Sequence, residues 1–118
     1  MSGITSYHAG LSAEDAVAQD YQRRGCTVVS RRWRGKGGEI DLIVQSGDGL
    51  IFVEVKKSRS HGRAAQSLSR HQMDRISMAA SEFLGTQPRG QLTDVRFDLA
   101  TVNGIGEIAI LENAFQEF

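Results

Sequence analysis

The sequence predicts an α/β domain in which a mixed five-stranded sheet is flanked by helices. Two apolar runs flank Ser46-Gly47-Asp48-Gly49, which is a hairpin signal. Stretches 12–25 and 67–84 repeat apolar residues at helical spacing, and 93–102 and 107–111 are typical of strands. The predicted order is helix, three strands, helix, two strands. The strands after the second helix can join the hairpin in parallel through a crossover connection.

The length of 118 residues indicates one domain, predicted at 9–118 after a flexible tail at 1–8. No apolar run is long enough to span a membrane, and the first residues lack the charged and apolar regions of a signal peptide. The single cysteine, Cys26, excludes an internal disulfide and a cysteine-rich zinc site. We therefore expect a cytoplasmic protein that has no membrane partner.

The first helix is expected to begin at Ser12, because Asp15 follows three residues later in a pattern typical of a capped start. Gly25 fits its end. Glu14 lies at the border of the apolar stripe, where a carboxylate is more often exposed than part of a site. Residues 26–33 follow as a strand. The basic, glycine-rich stretch 34–38 does not form a phosphate loop, because no helix start follows it.

The hairpin at 38–57 carries the most informative pattern. Its turn pairs Asp41 with Glu54 and Glu39 with Lys56, because side chains alternate along both strands. Like charges that face each other across strands repel at roughly 4.5–5.5 Å. Either a cation lies beside Asp41 and Glu54 or one of them holds a proton. The two interpretations are a cross-strand ion cluster that includes Lys56 and a divalent cation held by carboxylate oxygens.

The second helix is predicted at 67–84, with a polar Gln72 on its apolar face. The stretch 57–66 that precedes it is basic and without periodicity, so we expect a mobile loop. His61 and His71 are isolated in the sequence, and we expect both to be solvated.

Charge is unevenly distributed although the chain is neutral overall, with 14 basic and 14 acidic residues. Residues 23–75 contain 12 Lys and Arg against five acids. A basic middle segment around a carboxylate cluster suits a partner that carries phosphate. The alternative is a solvated surface on which these charges are dispersed.

The hairpin also resembles a known family. Asp41, a twelve-residue gap and then Glu54-Val55-Lys56 is similar to the Asp…(Asp/Glu)-x-Lys signature of restriction-endonuclease-like nucleases. Over about residues 9–116, the chain more closely resembles the YraN-like bacterial family, which is related in fold to Holliday-junction resolvases. The blocks that carry this resemblance are Ala13-Glu14, the Gly-Glu-Ile-Asp-Leu-Ile of 38–43, the Phe-Val-Glu-Val-Lys of 52–56 and Asn113-Ala114-Phe115.

The resemblance implies a restriction-endonuclease-like core and assigns roles to residues. Asp41 and Glu54 resemble metal ligands, Lys56 the catalytic lysine, and Glu14 a first-helix glutamate that aids the metal. The backbone carbonyl of Val55 is a further ligand in this interpretation, and Glu39 is a supporting residue. Two departures, Arg32 where the family usually has Asn and Gln72 near where it often has Lys, concern substrate choice.

We therefore expect a Mg²⁺- or Mn²⁺-dependent endonuclease that acts on DNA, with branched or junction DNA as the substrate that the resemblance favours. A symmetric junction would suit a homodimer. The rival hypotheses are a binding module on a nuclease fold that does not cleave, and a structural domain with a surface ion cluster. The residues expected to contact DNA are Arg34, Lys36, Lys57, Arg59, Arg63 and Gln72.

Overall fold

The computed structural model describes residues 12–115, so the predicted tail at 1–8 and the last residues 116–118 lie outside the described part. The elements are α1 (Ala13–Arg23), β1 (Thr27–Arg34), β2 (Glu39–Ser46), β3 (Gly49–Lys57), α2 (His61–Gln66), α3 (Arg70–Leu84), a 3₁₀ turn (Gly90–Leu92), β4 (Val95–Val102) and β5 (Ile108–Leu111). Among these helices none is long and apolar enough to cross a membrane.

The five strands form one mixed sheet in the order β1-β2-β3-β4-β5. Only β3 and β4 are parallel, and the other neighbours are antiparallel. The hairpin register is the predicted one, since Ile43 pairs with Phe52 and Ser46 with Gly49. The mixed five-stranded sheet and the parallel joining of β4 to the hairpin are thereby confirmed.

Each face of the sheet is covered by a helix. On one face, Val17, Ala18 and Tyr21 of α1 pack against a cluster that includes Leu42 and Val53. On the other face, α3 packs through residues such as Ile76 and Phe83 against a cluster built on Ile43 and Phe52. This three-layer arrangement buries both faces of the central strands, which explains why the hairpin is nearly continuously apolar.

Ile40 departs from the predicted alternation. It was expected on the same face as Leu42 but packs with Ile43 and Phe52 beneath α3. The backbone pairing of β2 with β3 begins at Leu42 and Val53, so Ile40 lies outside the paired part of these two strands. The side chains of β2 alternate strictly between the two faces of the sheet only where β2 is paired with β3.

The stretch predicted as a mobile loop contains a short helix, so the predicted order lacked one element. The Ser60 side chain accepts the N–H of Arg63 and caps α2, and Ala64 is fully buried. A six-residue helix is too short to show the periodicity that identified α1 and α3. His61, expected to be solvated, is instead half-buried and hydrogen-bonded to Thr101, whereas His71 is exposed as predicted.

The glycine-rich connection between β1 and β2 lies directly on α3. A Cβ at Gly38 would come within 3.3 Å of the carbonyl oxygen of Arg75, and one at Gly37 within 3.0 Å of Met78. The N–H of Lys36 donates to a carboxylate oxygen of Glu82 at 2.9 Å. The glycines therefore allow close approach of this connection to the helix.

Candidate active site

Asp41 and Glu54 come together where the hairpin ladder ends. Beyond the Leu42–Val53 pair, the carboxylate of Asp41 accepts the backbone N–H of Val55 at 2.8 Å. The side chain of Asp41 on β2 thus accepts a hydrogen bond from the backbone of β3 just beyond the last paired residues of the two strands. This contact fixes the Asp41 carboxylate against β3, next to the Glu54 side chain.

The environment of the carboxylate pair favours a proton between them. Burial and then the negative charge of Glu54 raise the pKa of Asp41 to about 7, while the Val55 N–H and the Lys56 ammonium act in the opposite direction. Two carboxylates in a partly desolvated site resist ionising together. Near neutral pH, Asp41 is therefore poised between its protonated and ionised forms.

Lys56 compensates Glu54 directly. Its ammonium lies 3.0 Å from a Glu54 carboxylate oxygen, and the two side chains are only 18% and 11% exposed. Both residues point to one face of β3 because they are two positions apart. Lys56 was expected to share one pocket with Asp41 and Glu54, but it contacts Glu54 and is not among the residues that line the pocket in front of the carboxylates. Glu39 pairs with Arg34 and not with Lys56.

An open pocket of about 230 Å³ lies in front of the carboxylates. Its floor is β2 and β3 and its wall is α3, and its lining residues are Glu39, Asp41, Glu54, Gln72, Arg75 and Ile76. Gln72 is held by the cap of α3, since its side-chain oxygen accepts the N–H of Ser69 at 3.1 Å. A larger cleft of about 430 Å³ at the hairpin-turn end of the sheet has only Asp48 as a carboxylate.

Glu14 is not among the lining residues of this pocket. Its carboxylate accepts the Nε–H of Arg32 at 2.7 Å, and the side chain of Glu14 is 22% exposed. Arg32 occupies a left-handed backbone conformation, with φ of 50°. The charges of Glu14, Glu39 and Asp41 all raise the pKa of Arg32, so this arginine lies within the field of the acidic site.

The residues predicted to contact DNA are placed on segments that border the site. Arg34 ends β1 and Lys36 lies in the connection that follows it, and both are exposed. Lys57, Arg59 and Arg63 follow Lys56 and are also exposed. These cations are accessible to an anionic partner, and their role in binding stays a prediction.

The sequence reasoning did not identify Arg75, and it named Arg32 only as a departure from the family and not as the partner of Glu14. Arg75 lines the pocket, and its Nε–H donates to the carbonyl oxygen of Gly37 at 3.4 Å. It lies three residues after Gln72, so the helical period placed both on one face and could have identified it. No sequence signal marks the Glu14–Arg32 pair, because the two residues are far apart in the chain and Arg32 has an unusual backbone conformation.

The donor set suits a hard divalent cation that keeps most of its own waters. Among residues 12–115, no group of three or more His, Cys, Asp and Glu side chains is arranged to hold a metal ion. Mg²⁺ often takes one or two carboxylates and completes its shell with water and substrate phosphate. The mutually repelling oxygens of Asp41 and Glu54 provide that number of ligands.

Comparison with known proteins gives consistent matches along the chain. The profile of the uncharacterised protein family UPF0102 matches residues 13–102. A UPF0102 protein of Cereibacter sphaeroides is 62% identical over 115 residues, which cover 98% of each chain. UPF0102 proteins of Ruegeria pomeroyi and Roseobacter denitrificans are 56% and 47% identical, over 96% and 98% of this chain and 92% and 90% of their own.

Proposed function

The chain belongs to the UPF0102 family, and we propose that it is a metal-dependent phosphodiesterase that cleaves DNA in the cytoplasm. The observation that carries this proposal is the pairing of half-buried Asp41 with buried Glu54, with Lys56 on Glu54 and an open pocket in front. A structural ion cluster would gain nothing from two carboxylates that repel each other. A site for a cation and a phosphate uses that repulsion to bind its ligand.

Asp41 and Glu54 are the residues that would hold Mg²⁺ or Mn²⁺, with the carbonyl oxygen of Val55 as a third ligand. When bound, the ion would supply an electrophile for the scissile phosphate and acidify a water. Lys56 orients the attacking water or stabilises the charge that develops on the phosphate. Its contact with Glu54 and its low exposure fix the ammonium beside the carboxylates before substrate arrives.

The wall contributed by α3 suits the backbone of the substrate. Gln72 presents a side-chain amide whose oxygen is used by Ser69, which leaves its NH₂ group as a donor. Arg75 lines the same pocket, and a guanidinium matches two oxygens of a phosphate. Both residues would hold the phosphate that the carboxylates cannot attract by themselves.

We infer a restriction-endonuclease-like core for this sheet, with Asp41, Glu54 and Lys56 in the positions of its signature. The resemblance to a family related in fold to Holliday-junction resolvases favours branched DNA as substrate, and a two-fold dimer would match a symmetric junction. Glu14 remains a candidate helper of the metal, for which its carboxylate would have to leave Arg32.

The same contacts also favour a second function. Lys56 and a proton on Asp41 already balance the carboxylates in the absence of a cation. That arrangement also suits a module that binds DNA or a protein without cleaving it.

The experiment is a cleavage assay on labelled linear, flapped and four-way DNA with Mg²⁺, Mn²⁺ or EDTA. Cleavage that requires the metal and is lost in Asp41→Asn supports the phosphodiesterase. Tight binding to the same panel without cleavage by the parent protein would replace it with the binding module.

A further inference from the structure

The acidic site continues across the sheet to β4. Lys56 is the register partner of Thr101 in the parallel ladder, as Phe52 is of Phe97, whose ring stacks on Phe52. Register partners project from the same face, on strands about 4.8 Å apart. Thr101 therefore lies beside Lys56, on the face that also carries Glu54.

A histidine lies on top of this threonine. His61 Nδ1 is 2.7 Å from Thr101 Oγ1, the hydroxyl is buried and the imidazole is half-buried. Backbone hydrogen bonds hold the chain that leads to it: Ser58 N–H donates to Val102 at 3.0 Å, and Gly104 N–H donates to Arg59 at 3.3 Å. The ring is thus placed next to the Lys56 end of the site by the fold.

The contact with Thr101 engages Nδ1 and leaves Nε2 as the ring nitrogen that can bind another group. The hydroxyl can give its single proton to Nδ1 at 2.7 Å or to the carbonyl oxygen of Ala109 at 3.4 Å. Where the hydroxyl donates to Nδ1, the ring proton of neutral His61 resides on Nε2; where Nδ1–H donates to the hydroxyl, the hydroxyl donates to Ala109 and Nε2 is an acceptor. In cationic His61, Nδ1–H donates to Thr101, which donates to Ala109, and Nε2 again carries a proton.

We propose that the Nε2–H of His61 binds a phosphate oxygen of the DNA strand that occupies the Asp41–Glu54 pocket, and that Thr101 is its positioning residue. This inference rests on the proposed function. Nε2 carries a proton in cationic His61 and in the neutral tautomer in which Thr101 donates to Nδ1, and the cations that precede His61 in the chain, Lys57 and Arg59, are exposed. An Nε2–H donor on a segment that also carries exposed cations suits an anion.

Two substitutions separate the two ring nitrogens. His61→Asn keeps a polar atom near the Nδ1 position for Thr101 but removes the Nε2 donor, whereas His61→Gln keeps a donor near the Nε2 position. Affinity for a short fluorescein-labelled DNA duplex is measured by anisotropy in Ca²⁺, with His71→Asn as the exposed-histidine control. His61→Asn should bind about tenfold more weakly, the loss of one charge-assisted hydrogen bond. His61→Gln and His71→Asn should remain near the parent.

Nitrogen-15 NMR of the parent protein tests the same inference without a variant. The ring should show a protonated Nε2 whose resonance shifts when the duplex is added, and Thr101→Val should alter the tautomer signature before DNA is present. Unchanged affinity in His61→Asn, or an Nε2 resonance that the duplex does not move, would overturn the inference.

The outcomes for His61 and for cleavage are separable. A parent that binds DNA through His61 but never cleaves it would contradict the phosphodiesterase and leave the phosphate contact standing. If the parent cleaves DNA and His61→Asn binds DNA as tightly as the parent, the phosphodiesterase is supported and the phosphate contact of His61 is contradicted. A parent that does not bind DNA would overturn both.

Discussion

Replacing Asp41 with asparagine should stabilise the metal-free protein at alkaline pH. The amide can still accept the Val55 N–H and can donate to Glu54, but it never ionises. The carboxyl of Asp41 has its pKa raised from 3.8 to about 7, first by burial and then by Glu54. The ionised form is thus disfavoured in the fold relative to the unfolded chain.

The magnitude follows from linkage. At 1.36 kcal/mol per pKa unit, a pKa raised from 3.8 to about 7 corresponds to roughly 4 kcal/mol of folding stability lost once Asp41 is fully ionised. Solvent that reaches the half-buried group and the desolvation of the amide itself reduce the expected gain to about 2 kcal/mol. Between pH 3.8 and about 7 the fold binds more protons than the unfolded chain, so the parent loses this stability as pH rises.

Urea unfolding of both proteins from pH 4 to pH 8 measures the effect. The difference in the free energy of unfolding should be near zero at pH 4 and reach its full value by pH 8. Asp48→Asn, at the exposed hairpin turn, is the matched control and should show no such trend. An Asp41→Asn variant that is no more stable than the parent at pH 8, or whose difference is independent of pH, would refute the account of the carboxylate pair.

Three further perturbations test other parts of the account. In calorimetry, Mg²⁺ or Mn²⁺ should bind weakly to the parent, more tightly as pH rises through about 7 because binding releases a proton. Glu54→Ala should not bind the ion, and a variant that titrates like the parent would exclude Glu54 as a ligand. Arg59→Ala combined with Arg63→Ala should weaken DNA binding and flatten its salt dependence, and an unchanged slope would remove this segment from the interface. Tyr21→Phe should destabilise the fold by about 1.5–3 kcal/mol in urea unfolding, because it removes the 2.7 Å hydrogen bond to buried Asp98. An unchanged free energy of unfolding would show that this hydrogen bond adds no stability.

The sequence predicted those features that local periodicity and turn chemistry determine. The hairpin register, the start of α1 at Ser12 and the place of Gln72 on the same face of α3 as Ile76 all followed from spacing along the chain. The capping box of Ser69 and Gln72 was not predicted, and α3 begins at Arg70 where the predicted helix began at 67. The family resemblance is confirmed at the level of UPF0102 membership, while its link to nucleases stays a proposal.

The remaining features depend on contacts between distant segments. Ile40 changes face because the ladder ends beside it, and His61 is fixed by Thr101, 40 positions away. The pairing of Glu14 with Arg32 requires a left-handed residue in an edge strand, which nothing in the local sequence favours. Such tertiary contacts override the local conformational preference of the sequence, so they can be identified only from the folded structure.

Single-turnover cleavage by the parent and by Lys56→Met tests the central claim most directly. Methionine keeps most of the aliphatic stem of lysine but lacks the ammonium, and DNA affinity in Ca²⁺ should change little because one charge among many is lost. With Mg²⁺, the cleavage rate of the DNA should fall by about 10²–10³, the usual effect of removing one electrostatic contact to the transition state. Equal cleavage rates for the two proteins would contradict the catalytic role of Lys56, and with it the interpretation of this pocket as a phosphodiesterase site.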